Sequence, residues 1–165
     1  MTVHPAPGEL AGEAIGLLIS RGLTVAVAES LTGGLLAAAL TSVPGASAAF
    51  RGGVVAYATD LKASLLGVPA ELLARHGAVH PEVAAEMAAG VARQLAATVG
   101  VGTTGVAGPD PADGRPVGTV YIAAHLRGRT AGRALTLAGD RQAIRNATVR
   151  HALALLISTL TEDKS

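Results

Sequence analysis

Residues 24–40 read TVAVAESLTGGLLAAAL, and this stretch contains a strand, a turn and the start of a helix. Residues 24–29 combine β-branched and small apolar side chains, a pattern that is typical of a buried strand. Residues 30–34 form the turn, and residues 35–40 open the helix. A strand that passes through a short turn into a helix is the building unit of α/β proteins.

The same alternation continues on both sides of this stretch. Apolar residues at helical spacing predict a helix over residues 9–21. Further strands are predicted over residues 53–58, 99–106, 117–126 and 133–137, and further helices after Asp60, over residues 80–98, and from Asp140 onward. This order predicts a three-layer α/β/α single domain, residues 1–165, around a mixed sheet whose early strands are parallel. We expect an ordered core over residues 9–160 with frayed tails.

Composition excludes several classes of protein. The chain has 165 residues, enough for one domain with a real core, and no apolar run approaches the ~20 residues that span a bilayer. It has no cysteine, which excludes disulfide scaffolds, thiol catalysis and cysteine zinc sites. The opening MTVHPAPGEL lacks the features of a signal peptide, so we expect a cytoplasmic protein that does not engage membranes.

The charge pattern argues against a nucleic-acid partner. Thirteen basic residues face twelve acidic ones, for a net charge of +1, and no basic block is present. The few aromatic residues provide no stacking platform for single strands.

The histidines do not indicate a metal site. Among the five histidines, His76 and His80 are four apart, but Gly77 and Pro81 oppose a shared helix. We therefore expect a small-molecule ligand, with no metal and no cofactor.

The turn after the first strand is the first candidate site. It carries Ser30, Thr32, Gly33 and Gly34 where a strand leads into a helix, and unpaired N–H groups at a helix N-terminus favour an anion. Helix capping and close packing are the alternative roles for these residues. The P-loop pattern is excluded because no lysine follows the second glycine.

Ser47, Tyr57 and Lys62 form the second candidate, spread over a loop, a strand end and a helix start. A serine hydroxyl needs a base, a buried lysine can be that base, and a tyrosine can relay or orient the proton. The alternative is an ordinary loop serine, strand-closing tyrosine and exposed lysine.

A second glycine turn, TTGVAGP at residues 103–109, is the third candidate. Thr104 can donate to a ligand, and Gly105 and Gly108 let backbone approach it closely. A tight turn without a ligand is the alternative. Because this turn also follows a strand, it predicts one crevice shared with residues 30–34.

The fourth candidate opens the last helix. Arg141 and Arg145 are four residues apart, so they share a helix face and could clamp a phosphate together. A solvated arginine face is the alternative. Asp140 is predicted to cap this helix.

Several blocks, in this order, resemble the CinA C-terminal domain family: AESLTGG, FRGGVVAYATDLK, GAVHPEVAAEMAAG, TGVAGPD, RPVGTVYIA and GDRQAIRNA. The resemblance covers roughly residues 14–160. Members of that family act as nicotinamide-nucleotide amidohydrolases. The family also occurs fused behind a molybdopterin-binding-like domain, and this chain resembles the standalone form.

The resemblance implies roles for individual residues. Ser47 falls where the family carries its proposed nucleophile, and Tyr57 and Lys62 fall on the supporting tyrosine and base. Thr104 and Arg145 match further implicated positions, and residues 29–34 match the E-S-x-T-G-G turn beside the pocket. The chain departs from many relatives at Leu31, where they have cysteine, at Thr103-Thr104, where they have serine, and at Thr59-Asp60, where they have Ser-Asn. The choice between Ser47 and Ser30 as nucleophile stays open.

The resemblance implies hydrolysis of nicotinamide mononucleotide to nicotinate mononucleotide and ammonia, as part of pyridine nucleotide recycling. The alternative is a non-catalytic nucleotide-binding module of a competence or damage-inducible protein. The two hypotheses differ at Lys62, which only an enzyme needs buried beside a serine. A homo-oligomer, dimer or higher, is expected if the alanine-rich residues 81–97 pack against a second copy; the alternative is that they cover the sheet.

Overall fold

A computed structural model describes residues 5–164. Its strands are β1 (Val25–Glu29), β2 (Phe50–Val55), β3 (Val99–Gly105), β4 (Thr119–Leu126) and β5 (Arg129–Thr136). Its α-helices are α1 (Pro7–Ser20), α2 (Leu35–Thr41), α3 (Thr59–Leu66), α4 (Ala70–His76), α5 (Pro81–Gln94) and α6 (Arg141–Glu162). A short 3-10 helix, Ala46–Ala48, precedes β2. Within residues 5–164, no helix is long and apolar enough to cross a membrane.

The five strands form one sheet in the order β2-β1-β3-β4-β5. β1 runs parallel to both β2 and β3, whereas β4 and β5 are antiparallel to their neighbours. The predicted mixed, partly parallel sheet is therefore confirmed. Because β1, β2 and β3 are parallel, the segments that follow them emerge at the same edge of the sheet, which is where open α/β sheets bind ligands.

Helices cover both faces of the sheet. Alternate residues of β1 point to opposite sides, so Val25 and Val27 pack in the larger apolar cluster with α1, α2 and α6. Ala26 and Ala28 pack in a second cluster with α3, α4 and α5. All five residues of β1 are buried, which explains why residues 25–28 are apolar without alternation.

The contact between α5 and β3 requires glycine. A Cβ atom placed on Gly100 would lie 1.9 Å from the carbonyl oxygen of Ala88, and one on Gly102 would lie 2.6 Å from that of Ala84. The alanine-rich face of α5 therefore packs directly on the backbone of β3. Of the two roles considered for α5, packing against the sheet is the one observed. The sequence argument for a homo-oligomer therefore no longer applies, and the homo-oligomer stays a prediction.

Several elements differ from the sequence prediction, and the helix predicted over residues 80–98 ends at Gln94. β2 begins and ends three residues before the predicted strand, because β1 pairs with residues from Phe50 onward. β5 begins four residues early, because Arg127 and Gly128 adopt positive φ angles of 52° and 78° and form a two-residue hairpin turn. Helix α4 was not predicted, since residues 70–76 are too few to show a clear period.

Candidate active site

A cleft of about 280 Å³ opens at the edge of the sheet where β1, β2 and β3 end. Its walls are Ser30 and Leu31 after β1, Tyr57, Thr59 and Lys62 after β2, Ala78 and Val79 before α5, the loop after β3, and Arg141. The crevice predicted from the two glycine turns is thus formed, and residues of both turns line it.

Lys62 is the central cation of the cleft. It lies in α3, which starts four residues after β2, and its side chain is only 1 % exposed. The Nζ atom donates to Ser30 Oγ at 3.0 Å, to the Ala56 carbonyl oxygen at 2.8 Å and to the Tyr57 carbonyl oxygen at 3.3 Å. Three acceptors satisfy the three N–H bonds of an ammonium group.

Burial lowers the pKa of Lys62 from 10.5 to about 8, against the opposing influence of the Asp113 carboxylate. Near neutral pH a useful fraction of this amine is therefore uncharged. The same three partners suit the neutral form, because two N–H bonds serve the two carbonyls and the nitrogen lone pair accepts the Ser30 hydroxyl proton. The geometry thus permits Lys62 to act as a base toward Ser30.

Ser30 is held rigidly at the end of β1. It is 8 % exposed, and its N–H donates to the Thr103 carbonyl oxygen at 3.1 Å across the sheet edge. The neighbouring Thr32 hydroxyl shares a 2.9 Å hydrogen bond with the Thr103 hydroxyl. Both contacts tie the turn to β3, so Ser30 Oγ stays directed at the Lys62 amine.

Glu29, the last residue of β1, anchors the same turn from the other side. Its carboxylate is buried and accepts from the N–H groups of Leu36 at 2.8 Å and Ala37 at 3.1 Å. Helix α2 has no side-chain cap of its own, since its N-cap is Gly34. Glu29 therefore supplies the cap from seven residues upstream. Sequence reasoning assigned it no role, although a glutamate that closes a buried strand ahead of an uncapped helix was an available signal.

Arg145 braces this turn and does not line the cleft. Its Nε donates to the Leu31 carbonyl oxygen at 2.9 Å and one terminal nitrogen donates to the Thr32 carbonyl oxygen at 3.3 Å. Gly33 leaves the space that the guanidinium occupies, because a Cβ there would lie 3.2 Å from it. Gly33 and Gly34 also have positive φ angles, 57° and 107°, which explains the glycine pair.

Arg141, the other arginine of the predicted phosphate clamp, does line the cleft. It donates to the Gly108 carbonyl oxygen at 2.6 Å and to the Tyr57 hydroxyl at 2.9 Å. The prediction that Arg141 and Arg145 act as a pair is wrong, since their guanidinium groups hold different loops. Asp140 caps α6 as predicted, by accepting from the Ala143 N–H at 2.8 Å.

Ser47 does not reach Lys62. It is exposed in the 3-10 helix that precedes β2, whereas Lys62 follows β2. The six residues of β2 separate the two ends by about 17 Å. The predicted Ser47–Lys62 pair is therefore wrong. The two residues lie at opposite ends of β2, and Ser30 occupies the position beside the amine.

Tyr57 also differs from its predicted placement. Its side chain is 58 % exposed, and its hydroxyl contacts Arg141 rather than Lys62 or a serine. Only its backbone carbonyl accepts from the lysine. The predicted relay through the phenol is thus not formed; the ring instead closes one side of the cleft mouth.

The second glycine turn lines the cleft, but its Thr104 hydroxyl donates to the protein backbone. Gly105 and Gly108 line the cleft as predicted. The Thr104 hydroxyl donates to the Ala78 carbonyl oxygen at 2.7 Å, so it positions the opposite wall. Asp113, which sequence reasoning missed, accepts from the Ala78 N–H at 2.9 Å. Nothing in the glycine-rich loop distinguishes this aspartate from a surface residue.

A larger cavity, about 400 Å³, lies at the other end of the sheet beside the β4–β5 turn and the end of α6. Its lining includes Arg127 and Asp163, which form an exposed ion pair at 2.9 Å. No buried lysine, serine or threonine of the described core reaches it. The chemistry-bearing side chains belong to the smaller cleft.

The chain is similar to known proteins along most of its length. The CinA C-terminal domain model matches residues 8–160. A CinA-like protein of Frankia casuarinae is 56 % identical over 151 residues, and one of Dictyoglomus turgidum is 43 % identical over 143 residues. These matches cover 92 % and 86 % of this chain but 35 % of each relative. The chain therefore spans about a third of the length of these relatives.

Solved structures share the fold. The competence damage-inducible protein A of Klebsiella pneumoniae superposes with a TM-score of 0.94 at 37 % identity, covering 97 % of this chain and all of that one. The competence/damage inducible protein CihA of Agrobacterium tumefaciens superposes with a TM-score of 0.91 at 40 % identity, covering 98 % of this chain and all of that one. Together with the family match over residues 8–160, these likenesses place the chain in the CinA C-terminal domain family.

Proposed function

We propose that this chain is an amidohydrolase that uses Ser30 as nucleophile and Lys62 as base. The observation that supports this most strongly is the 3.0 Å contact between Ser30 Oγ and Lys62 Nζ, both buried at the wall of a cleft. The lowered pKa of Lys62 adds support, because a base must be partly deprotonated at working pH.

The chemistry follows from that contact. Lys62 accepts the Ser30 hydroxyl proton while Oγ attacks the carboxamide carbon and forms a tetrahedral oxyanion. Backbone N–H groups at the wall of the cleft would stabilise that oxyanion, an effect worth roughly 3 kcal/mol in other hydrolases. Lys62 then returns the proton to the departing nitrogen, ammonia leaves, and water hydrolyses the acyl-enzyme with Lys62 again as base.

Nicotinamide mononucleotide is the proposed substrate, with nicotinate mononucleotide and ammonia as products. Family membership motivates this choice, and the cleft supports it with one site for an anion. Arg141 lies in the first turn of the 22-residue helix α6 and borders the cleft, so a phosphate there would meet both a guanidinium and a helix N-terminus. The predicted cytoplasmic location is part of the same proposal.

A non-catalytic nucleotide-binding module is the rival hypothesis. Such a module gains nothing from a buried lysine, because placing the charged amine out of water costs stability. The Lys62–Ser30 contact therefore favours the enzyme.

Ammonia release tests the proposal directly. Purified protein is incubated with nicotinamide mononucleotide, free nicotinamide or asparagine, and ammonia is measured with time. We expect release from the mononucleotide far above release from the other two amides. Tight binding of the mononucleotide without any ammonia would overturn the enzymatic proposal and favour the binding module.

A further inference from the structure

The loop after β3 holds a carboxylate at the mouth of the cleft. Asp113 has a positive φ of 51°, and its Oδ2 accepts from the Ala78 N–H at 2.9 Å. Ala78 is itself held by the Thr104 hydroxyl, which donates to its carbonyl oxygen at 2.7 Å. Although Asp113 lies on the surface, its carboxylate is held by the Ala78 N–H, and the residue lines the cleft.

The proposed mechanism gives this carboxylate no task. A negative charge near Lys62 favours the protonated amine and so opposes its action as a base. The other charged groups of the cleft are Arg141 and Asp110. The flanking groups outside it are His76 and His80, whose rings stack at 4.1 Å, and Arg115. None of these needs an acid at this position for the amide chemistry.

We propose that Asp113 recognises the positive charge of an oxidised pyridinium ring and so makes the site specific for cationic N-substituted pyridine carboxamides. This inference rests on the proposed function. A pyridine nitrogen bonded to ribose carries a permanent charge, whereas free nicotinamide and the 1,4-dihydropyridine form carry none. A carboxylate at the mouth of the cleft attracts the charged ring and exerts no such attraction on free nicotinamide or the dihydropyridine form.

Recognition of the ring charge also resolves the conflict at Lys62. When the cation binds beside Asp113, its charge offsets the carboxylate, and the field that holds the proton on Lys62 weakens. Lys62 then loses its proton more readily in the complex than in the free protein. The charge of the ligand thus favours the neutral form of the base that deprotonates Ser30.

The Asp113→Asn variant removes the negative charge of the side chain and keeps its size. Asparagine keeps an oxygen that accepts from the Ala78 N–H, and it tolerates positive φ better than most residues. Asp60→Asn is the matched control, because Asp60 is exposed in the first turn of α3, near Lys62 in the chain, but does not line the cleft.

Binding is measured by calorimetry at pH 8 in a Ser30→Ala background, which prevents turnover. The ligands are oxidised and 1,4-dihydro nicotinamide mononucleotide. We expect Asp113→Asn to weaken binding of the oxidised form by roughly fivefold, the scale of a partly exposed ion pair, and to change binding of the reduced form by less than about twofold. Asp60→Asn should change neither. Equal weakening of both forms, or of neither, would overturn the inference.

Turnover supplies a second readout. In Asp113→Asn, KM for the oxidised mononucleotide should rise, and the pH midpoint of kcat/KM should move to lower pH because Lys62 loses its neighbouring negative charge. An unchanged midpoint and KM in a fully folded variant would contradict the inference. If the wild-type protein releases no ammonia at all, the proposed function fails, while the binding comparison still decides whether Asp113 recognises charge.

Discussion

At the scale of single residues, the hydrogen bonds of Lys62 accommodate both of its protonation states. Two backbone carbonyls and one hydroxyl satisfy an ammonium group, and the same three partners satisfy a neutral amine that accepts from Ser30. A proton can therefore move between Ser30 and Lys62 without leaving either residue unpaired. This is the local condition for a serine–lysine pair.

Lys62→Arg tests whether the amine must lose its proton. Wild-type activity should rise with pH through about 8 and level off above it, as the neutral amine becomes the major form. Arginine keeps the charge but does not deprotonate in proteins, so Lys62→Arg should be nearly as inactive as Lys62→Met. Substantial activity in Lys62→Arg with an unchanged pH profile would mean that Lys62 only orients the turn.

The same lysine makes stability depend on pH. Below pH 8 both the folded and unfolded states are protonated, and the full cost of burying the charge applies. Between pH 8 and 10.5 only the unfolded state binds the proton, so the free energy of unfolding should rise with pH, by on the order of 2–3 kcal/mol in total. Urea denaturation at several pH values should show this rise in the wild type and lack it in Lys62→Met. If the free energies of unfolding of the wild type and Lys62→Met changed with pH in the same way, the lowered pKa of Lys62 would be contradicted.

Residue types were easier to predict than residue pairs. Lys62, Tyr57 and the candidate residues of both glycine turns are identified from the sequence. All of them reach the cleft except three residues of the first turn, Thr32, Gly33 and Gly34. The family resemblance implies a pair of Ser47 and Lys62, but the extended strand between the two residues places them at opposite ends of β2. Distance along a sequence does not reveal this separation, whereas parallel pairing of β1 and β2 does.

At the scale of elements, the site depends on how β1 passes into α2. Glu29 caps the helix, and the turn between them carries Ser30. The strand, turn and helix were predictable from composition, because the glycine pair and the buried apolar run are strong local signals. The cap was not, because its partners are seven and eight residues away and carry no distinctive side chains.

Glu29→Ala should loosen this connection. One buried and one half-buried N–H group would lose their acceptor. A buried group left unsatisfied costs about 1–3 kcal/mol, and kcat should fall because Ser30 is less well held. Glu29→Gln keeps one acceptor oxygen and should lose less in both respects. Thermal denaturation and ammonia release measure the two effects. A Glu29→Ala protein as stable and active as the wild type would show that the cap does not position the turn.

At the scale of the whole molecule, the fold depends on the close approach of α5 to the centre of the sheet. The three-layer arrangement was predictable from the order of elements. This contact was not, because an alanine-rich helix face can pack closely against either a sheet or a second copy of the chain. Gly100 and Gly102 select the first possibility. The cleft depends on this packing, since α5 begins two residues after the wall residue Val79.

Gly100→Ala tests that packing. Its Cβ would meet the Ala88 carbonyl oxygen at 1.9 Å, so α5 must shift, and we expect a loss of about 3 kcal/mol or more. Gly132→Ala in β5 is the matched control, because its Cβ would lie 3.6 Å from its nearest neighbour. Urea denaturation should show the control within about 1 kcal/mol of the wild type. Equal stability of the two variants would contradict the close contact.

The central claim is that Ser30, paired with Lys62, attacks the amide. The most direct measurement is the rate of ammonia release from nicotinamide mononucleotide by the wild type, Ser30→Ala and Ser47→Ala at pH 8. We expect a loss of at least ~10³-fold for Ser30→Ala, as for removal of a nucleophile, and a rate for Ser47→Ala within about twofold of the wild type. An inactive Ser47→Ala beside an active Ser30→Ala would contradict it.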